Sequence, residues 1–153
     1  MSENLARACG TNSLQPCPTA QSSTHEGFGS WKANDGNTNG NWYGQSCTCT
    51  AISSSNPWWR VDLGKTRTVT SVKLWNRADC CADRLQGFEV WIGDDASYSA
   101  NSRCLTGGAA LLTSPYDILV DCIGTGRYLF VVLPGNNRIL TLCEVEVYGG
   151  ECS

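Results

Sequence analysis

The sequence predicts an all-β domain, a jelly-roll β-sandwich of about eight antiparallel strands, and three observations carry that expectation. Short runs of β-branched and aromatic residues alternate with a period of two. The segments between them are rich in Gly, Asn, Asp and Ser, which make turns. No stretch with helical periodicity reaches the length of a helix.

The strand segments run as follows. Residues 68–76 (TVTSVKLWN) place Val72 and Leu74 on one face and Lys73 and Trp75 on the other. Residues 86–92 (QGFEVWI) put Phe88, Val90 and Ile92 on one side. Residues 127–133 (RYLFVVL) are apolar on both faces, as a central sandwich strand would be. Residues 142–148 (LCEVEVY) point Val145 and Val147 inward, with Glu144 and Glu146 on the opposite face. The 153 residues fit one ordinary domain. No repeat or linker divides them, so one domain spans 1–153, with its core at about 4–148. On a sandwich of this kind, function belongs to the loops that the sheets hold in place.

Composition narrows the partners. Charged residues make up 16% of the chain, well under the roughly 25% of an average soluble domain, so the surface relies on neutral polar side chains. Net charge is −3 and no basic run exists, which argues against nucleic acid and anionic membranes. No apolar stretch of about 20 residues is present, so membrane insertion is not expected. Residues 1–4 are polar and no apolar leader follows, so Met1 is read as a start placed ahead of a mature or excised domain. There is no N-x-[ST] sequon.

Ten cysteines point to an oxidising compartment and hence to a secreted, extracellular protein. Zinc is the competing reading, but the C-x7-C, C-x-C and C-C spacings with a single histidine match no common zinc site.

Four stretches are more distinctive: 33–37 (ANDGN) with the downstream Ser46-Cys47-Thr48, 56–63 (NPWWRVDL), 76–85 (NRADCCADRL) and 142–147 (LCEVEV). Together they resemble the F-type lectins, the fucose-binding family with a discoidin-like jelly-roll fold. The resemblance covers nearly the whole chain. Its R-x-D-C-C-x-x-R element is specific, whereas W-W-R-V-D-L is shared among galactose-binding-like domains and supports the fold rather than the ligand.

The resemblance implies a sugar site. Arg77 and Arg84 match the family's two sugar-binding arginines, and Asp79 matches the acidic residue between them. Cys80 and Cys81 match its adjacent-cysteine disulfide, whose sulfur surface packs against the sugar. Trp42 and Tyr43 match the aromatic residues near the fucose methyl group. The chemistry is sensible without the name. Guanidiniums offer rigid N–H donors and keep their charge, a carboxylate fixes one of them, and an apolar wall takes the C–H face. Read without the resemblance, Cys80 and Cys81 staple two separate loops, and the arginines are solvated charges balancing Asp79 and Asp83.

One position departs from the family. A histidine in a C-T-H element, which joins the arginines on the sugar, is replaced here by Cys49 in Cys47-Thr48-Cys49, with one extra residue before the tryptophan pair. A thiol is a weak donor and acceptor; losing one good hydrogen bond costs ~1 kcal/mol. The outcome is weakened fucose binding, a shifted sugar preference or lost binding. His25, in the loop 24–31 (THEGFGSW), is a candidate to line the pocket from another side, against the plain reading of a solvated loop histidine.

The resemblance further implies calcium. Asp35 and Glu144 would supply charge and Ser46 oxygen, with backbone carbonyls from Lys32, Asn37 and Cys143. Asp-Gly-Asn by itself is also an ordinary turn. The metal would be structural, pinning the loops. The same resemblance pairs Cys47 with Cys143 and Cys104 with Cys122. Cys9, Cys17, Cys49 and Cys152 remain, with three pairings open. Cys9–Cys17, closing a short loop, is favoured, which leaves Cys49 and Cys152 paired or free.

The leading functional expectation is a calcium-stabilised lectin for terminal fucose or a similar sugar on glycoconjugates, in innate defence or in cell or gamete recognition. The alternative is a cell-adhesion or protein-interaction module whose sugar site is altered at Cys49. An enzyme is not expected: a glycosidase needs two carboxylates about 5–9.5 Å apart flanking the bond, and Asp79 and Asp83 both have arginines nearby. Weak single-site binding would call for an oligomer or a tandem-domain parent.

Overall fold

The computed structural model describes residues 3–10, 15–40, 44, 46–109 and 116–149. Six strands lie among them: β1 (Thr19–Gln21), β2 (Trp58–Trp75), β3 (Phe88–Gly93), β4 (Ser102–Gly108), β5 (Asp117–Val132) and β6 (Glu144–Tyr148). Every pairing is antiparallel, in the order β1-β2-β5-β3-β4, with β6 also on β2. The described helical elements are short 3-10 turns.

β2 and β5 are each long enough to serve both layers of a sandwich. They pair from Trp58↔Val132 to Trp75↔Asp117, and the register breaks between Asp62 and Arg67. Gly64, at φ +86°, lies in that break, where the left-handed backbone suits glycine. At the matching point of β5, Gly126 sits against the backbone of Gly93; a Cβ there would come within 2.5 Å of it. The first limb of β2 carries β1 and the second carries β6. Trp59 and Val61 of the first limb share one core cluster with Val72 and Leu74 of the second, so both limbs face the same core. The expected count of about eight is thus reached by limbs rather than by separate strands.

The alternating residues fill this core. Phe88, Val90, Ile92, Leu129, Val131, Val145 and Val147 are all buried, each contributing up to ~1.5–3 kcal/mol. Trp59 is also fully buried, and its indole N–H donates to the Ser30 carbonyl at 2.9 Å, as a buried tryptophan must. Disulfides join Cys9 to Cys17, Cys47 to Cys143, Cys80 to Cys81 and Cys104 to Cys122.

Both ends of β2 lead into loops. The loop after Gln21 starts at Trp58, where Ser22 N donates to the Trp58 carbonyl and Ser22 Oγ accepts from Trp58 N. The segment 76–85 follows Trp75, and 133–141 follows β5. Three loop systems therefore meet at one end of the sandwich.

Candidate functional site

The centre of that end is the loop 76–85. Asn76, 3% exposed, clamps it from beneath. Its Nδ2 donates to the Ala82 carbonyl at 2.8 Å and its Oδ1 accepts from Arg77 N at 2.8 Å. Arg77 grips Asp79 through two bonds, Nε to Oδ1 and Nη2 to Oδ2, each 3.0 Å. This fork geometry fixes the plane of the guanidinium. The Cys80–Cys81 disulfide follows, with Cys81 at φ +65°, and a 3-10 turn at Ala82–Leu85 carries Asp83 and Arg84 while burying Leu85. Arg138 ties the loop's far end: its Nη2 donates to the Gln86 carbonyl at 2.6 Å and the Arg84 carbonyl at 3.4 Å.

A second wall comes from two extended segments. Thr48 N donates to the Leu142 carbonyl and Thr50 N to the Leu140 carbonyl, at 2.8 and 3.1 Å. The threonine hydroxyls accept in return from Leu142 N and Leu140 N, both at 3.0 Å. This antiparallel register sets Cys49 directly opposite Thr141, with both side chains on one face. Cys49 is a free, buried thiol. Its Sγ–H donates to the Thr50 carbonyl at 3.2 Å, and the buried Thr141 hydroxyl across from it has no hydrogen-bond partner. Burial pushes the Cys49 thiol up, against the pull of the neighbouring Thr141 hydroxyl and of the Arg84 and Arg77 charges. Both guanidiniums therefore lie close enough to Cys49 to be felt.

His25 joins this wall through its backbone: His25 N donates to the Cys49 carbonyl at 2.9 Å, and Cys49 N to the Phe28 carbonyl at 3.0 Å. Its ring stacks on Phe28, with centroids 6.3 Å apart. Trp42, Tyr43 and Cys152 lie outside the described residues.

The expected metal ligands meet on the flank. Gly36 N donates to Glu144 Oε2 at 2.8 Å, and Asp35 Oδ1 caps Asn37 N at 2.9 Å. Glu144 is fully buried although it lies on the face of β6 away from Val145, because the 34–37 loop covers it. Its Oε1 has no hydrogen-bond partner. Burial pushes its carboxyl up to about 9; the Gly36 bond and Arg7 oppose this, and Asp35 and Glu146 add to it. Ser46 Oγ donates to the Asn39 carbonyl. Cys47–Cys143 ties Ser46 and Glu144 to one point, and Ala78 N donates to the Gly40 carbonyl at 2.7 Å, joining this loop to the arginine loop. Lys32 and Asn37 flank Asp35 on the same loop. Among the described residues no group of three or more His, Cys, Asp or Glu side chains could hold a metal, so backbone carbonyls would have to complete any shell. An orphaned, desolvated carboxylate oxygen beside a second carboxylate fits a hard cation with oxygen ligands.

Sequence reasoning missed Asn76, Arg138 and Thr141. Their roles depend on partners distant in the chain, and no local pattern signals them.

Comparison with known proteins places these features in a family. The profile of the NedA-like galactose-binding domain, of the F5/F8 type C group, matches residues 32–130. The fucolectin of Anguilla anguilla is 39% identical over 115 residues, covering 74% of this chain and 72% of that protein. The solved F-lectin (fucolectin) from Morone saxatilis (striped bass) serum superposes with a TM-score of 0.84 at 37% identity, covering 99% of this chain. This chain spans about half of that one, 48% of its length. The lectin domain of lectinolysin, solved with Lewis B antigen, superposes with a TM-score of 0.79 at 34% identity, covering 97% of this chain and 98% of its own.

Proposed function

We infer that this chain, which belongs to the fucolectin or F-type lectin family, is a carbohydrate-binding protein that holds the terminal fucose of a glycoconjugate at the Arg77 loop. The observation that carries this reading is the Arg77–Asp79 fork beside the Cys80–Cys81 disulfide. An aligned guanidinium meets sugar hydroxyls without first losing rotamer freedom. Arg84 supplies a second set of donors, and the disulfide offers an apolar surface to the C–H face. Relatives named fucolectin, and one solved with Lewis B antigen, support fucose as the sugar. The same geometry supports binding without turnover: the Asp79 carboxylate is bonded to Arg77 and is poorly placed to act as a base or nucleophile.

Calcium belongs to this proposal as a structural ion, with Asp35 and Glu144 supplying charge, Ser46 a hydroxyl, and Lys32, Asn37 and Cys143 carbonyls. Bound there, it would supply positive charge that offsets the burial of Glu144. The chain's own part is to bring the loop of Asp35 against β6 through the Gly36–Glu144 bond and the Cys47–Cys143 disulfide. Four disulfides support an extracellular location, and the striped bass relative comes from serum. Presentation in an oligomer or a tandem chain would raise avidity by roughly 10²–10⁴.

A second reading, a protein-interaction module with an altered sugar site, draws on Cys49, whose thiol is turned inward onto Thr50 and Thr141. A glycan array with the calcium-loaded protein and its Arg77→Ala variant decides between them. Binding to fucosylated glycans that Arg77→Ala abolishes supports the lectin. Silence from a folded sample across the array supports the interaction module.

A further inference from the structure

The break in β2 opens on a cavity of about 450 Å³ that shares no lining residue with the Arg77 loop or with the wall of Cys49. Its charged lining is Lys65, Arg67 and Arg127 against a single carboxylate, Asp62. We propose that this cavity is a second, independent binding site, for a sugar ring that carries a sulfate or carboxylate group. Nothing in it depends on what the Arg77 loop binds.

The cations are gathered by the fold rather than by a run in the sequence. Lys65 and Arg67 lie at the break of β2, and Arg127 follows Gly126, the β5 partner of Arg67. Arg127 is held as Arg77 is. Its Nε and Nη2 donate to the two oxygens of Asp62 at 2.7 and 2.9 Å, and its guanidinium lies over the Tyr128 ring, 5.3 Å from the centroid. This fork leaves Nη1 to donate elsewhere. Asp62 keeps its charge, because the Arg127 bond holds its carboxyl below the ordinary value. A second carboxylate fixes the break itself. Asp94 Oδ1 accepts from Thr66 Oγ1 at 2.8 Å and from Arg127 N at 2.9 Å. Asp62 Oδ1 also accepts from Gly64 N at 2.9 Å, at the left-handed turn. The backbone that carries the cations is thus set before a ligand arrives, which lowers the cost of binding.

The lining chemistry selects the ligand. Positive charge is in excess here, although the chain as a whole carries −3. A cleft lined by one sign of charge concentrates the opposite ion, and a guanidinium fork matches the paired oxygens of a sulfate or carboxylate. The volume is more than a bare anion needs and lies within the roughly 300–1,000 Å³ of small-ligand pockets. Pro18 and Cys9, the latter in the Cys9–Cys17 disulfide, add apolar surface for C–H groups. One ring bearing an oxyanion satisfies both parts of the lining.

Calorimetric titration of the native protein tests this with a galactose sulfate, glucuronate, neutral galactose and inorganic sulfate. The two anionic sugars should bind about tenfold more tightly than galactose, the effect of one charge-assisted hydrogen bond, and several-fold more tightly than inorganic sulfate. Raising the salt from about 0.05 to 0.5 M should weaken them several-fold, because Lys65 and Arg127 are exposed to screening. Lys65→Glu, at an exposed position, should abolish the gain over galactose and leave the melting temperature unchanged. Arg127→Gln should abolish it too by removing the fork. Arg77→Ala should leave the anionic sugars unaffected. Their loss in that variant would place them at the Arg77 loop and overturn the second site. So would equal binding of galactose and its sulfate, or full binding in Lys65→Glu. Inorganic sulfate held as tightly as the sulfated ring would leave a bare anion pocket and overturn the place given to the sugar.

Discussion

Glu144 allows the calcium proposal to be tested without measuring sugar binding. Its side chain is fully buried, one oxygen accepts from Gly36 N at 2.8 Å and the other has no hydrogen-bond partner. Burial raises its carboxyl from 4.5 to about 9. In the metal-free protein the folded state therefore keeps a proton that the unfolded chain releases between those two values. The unfolded state binds fewer protons throughout that window, so stability is greatest below it and falls as pH rises through it. Each pH unit costs up to about 1.4 kcal/mol, so the climb from pH 5 to 7 lowers the melting temperature by roughly 5–10 °C for a domain this size. Asp62 works in the opposite direction. The hydrogen bond from Arg127 holds it below its ordinary value of 3.8, so its contribution is lost only as pH falls below the window. Scanning calorimetry from pH 5 to 8, with chelator and with calcium, reads the effect. The chelated protein should melt lower at pH 7 than at pH 5. Calcium should flatten the profile, giving a larger increment at the higher pH. Glu144→Gln should be flat when chelated and insensitive to calcium. A chelated native protein as stable at pH 7 as at pH 5, with no calcium increment at either, would refute both the buried acid and the metal site.

Three further outcomes are expected. Asp79→Asn removes one charge from the fork that orients Arg77; fucoside affinity should fall about five- to tenfold with little change in melting temperature, and an unchanged titration would show that Asp79 does not set the arginine's plane. Cys49→His restores a strong hydrogen-bonding group opposite Thr141, so fucoside affinity should rise several-fold, about 1 kcal/mol; no change would place Cys49 outside the contact wall. Replacing Cys47 and Cys143 by alanine opens a loop of sequence separation 96, which should cost up to about 4–5 kcal/mol in denaturant unfolding and weaken calcium binding; a loss under about 1 kcal/mol would mean that the surrounding hydrogen bonds hold the two segments unaided.

Strand faces were legible wherever burial follows local alternation. Phe88, Val90 and Ile92 on β3, and Val145 and Val147 on β6, lie inside as their pattern implies. The continuity of β2 was not legible. The sequence shows two separate stretches, 56–63 and 68–76, and only the long partner β5, some distance away in sequence, carries one strand through both. Glu144 shows the same limit from the polar side. Alternation groups it with Glu146, and nothing local reveals that the loop of Gly36, at a separation of 108, closes over it. The arginine loop was legible because Arg77, Asp79, Cys80, Cys81 and Arg84 are consecutive enough to form a motif. Thr141 was not, because its place opposite Cys49 depends on a register between segments more than 90 residues apart.

That register also changes what the replacement at Cys49 means. Read from sequence, the cysteine is a poorer version of a histidine, offering the sugar a weaker hydrogen bond. In the fold the thiol has already used its proton on the Thr50 carbonyl, and it lies across from the buried Thr141 hydroxyl. Cys49 is 5% exposed, so a sugar held against this wall would meet an edge of sulfur and no strong hydrogen-bonding group. A sugar hydroxyl brought against that surface leaves water without a replacement partner, a loss of about 1–3 kcal/mol, whereas a C–H or methoxy group loses nothing of the kind. In the proposed sugar site the balance of binding would then shift toward Arg77 and Arg84. The two readings of function also differ less in geometry than in ligand. A wall of this kind penalises a hydroxyl at one position only, and it leaves the remaining apparatus for holding a sugar in place.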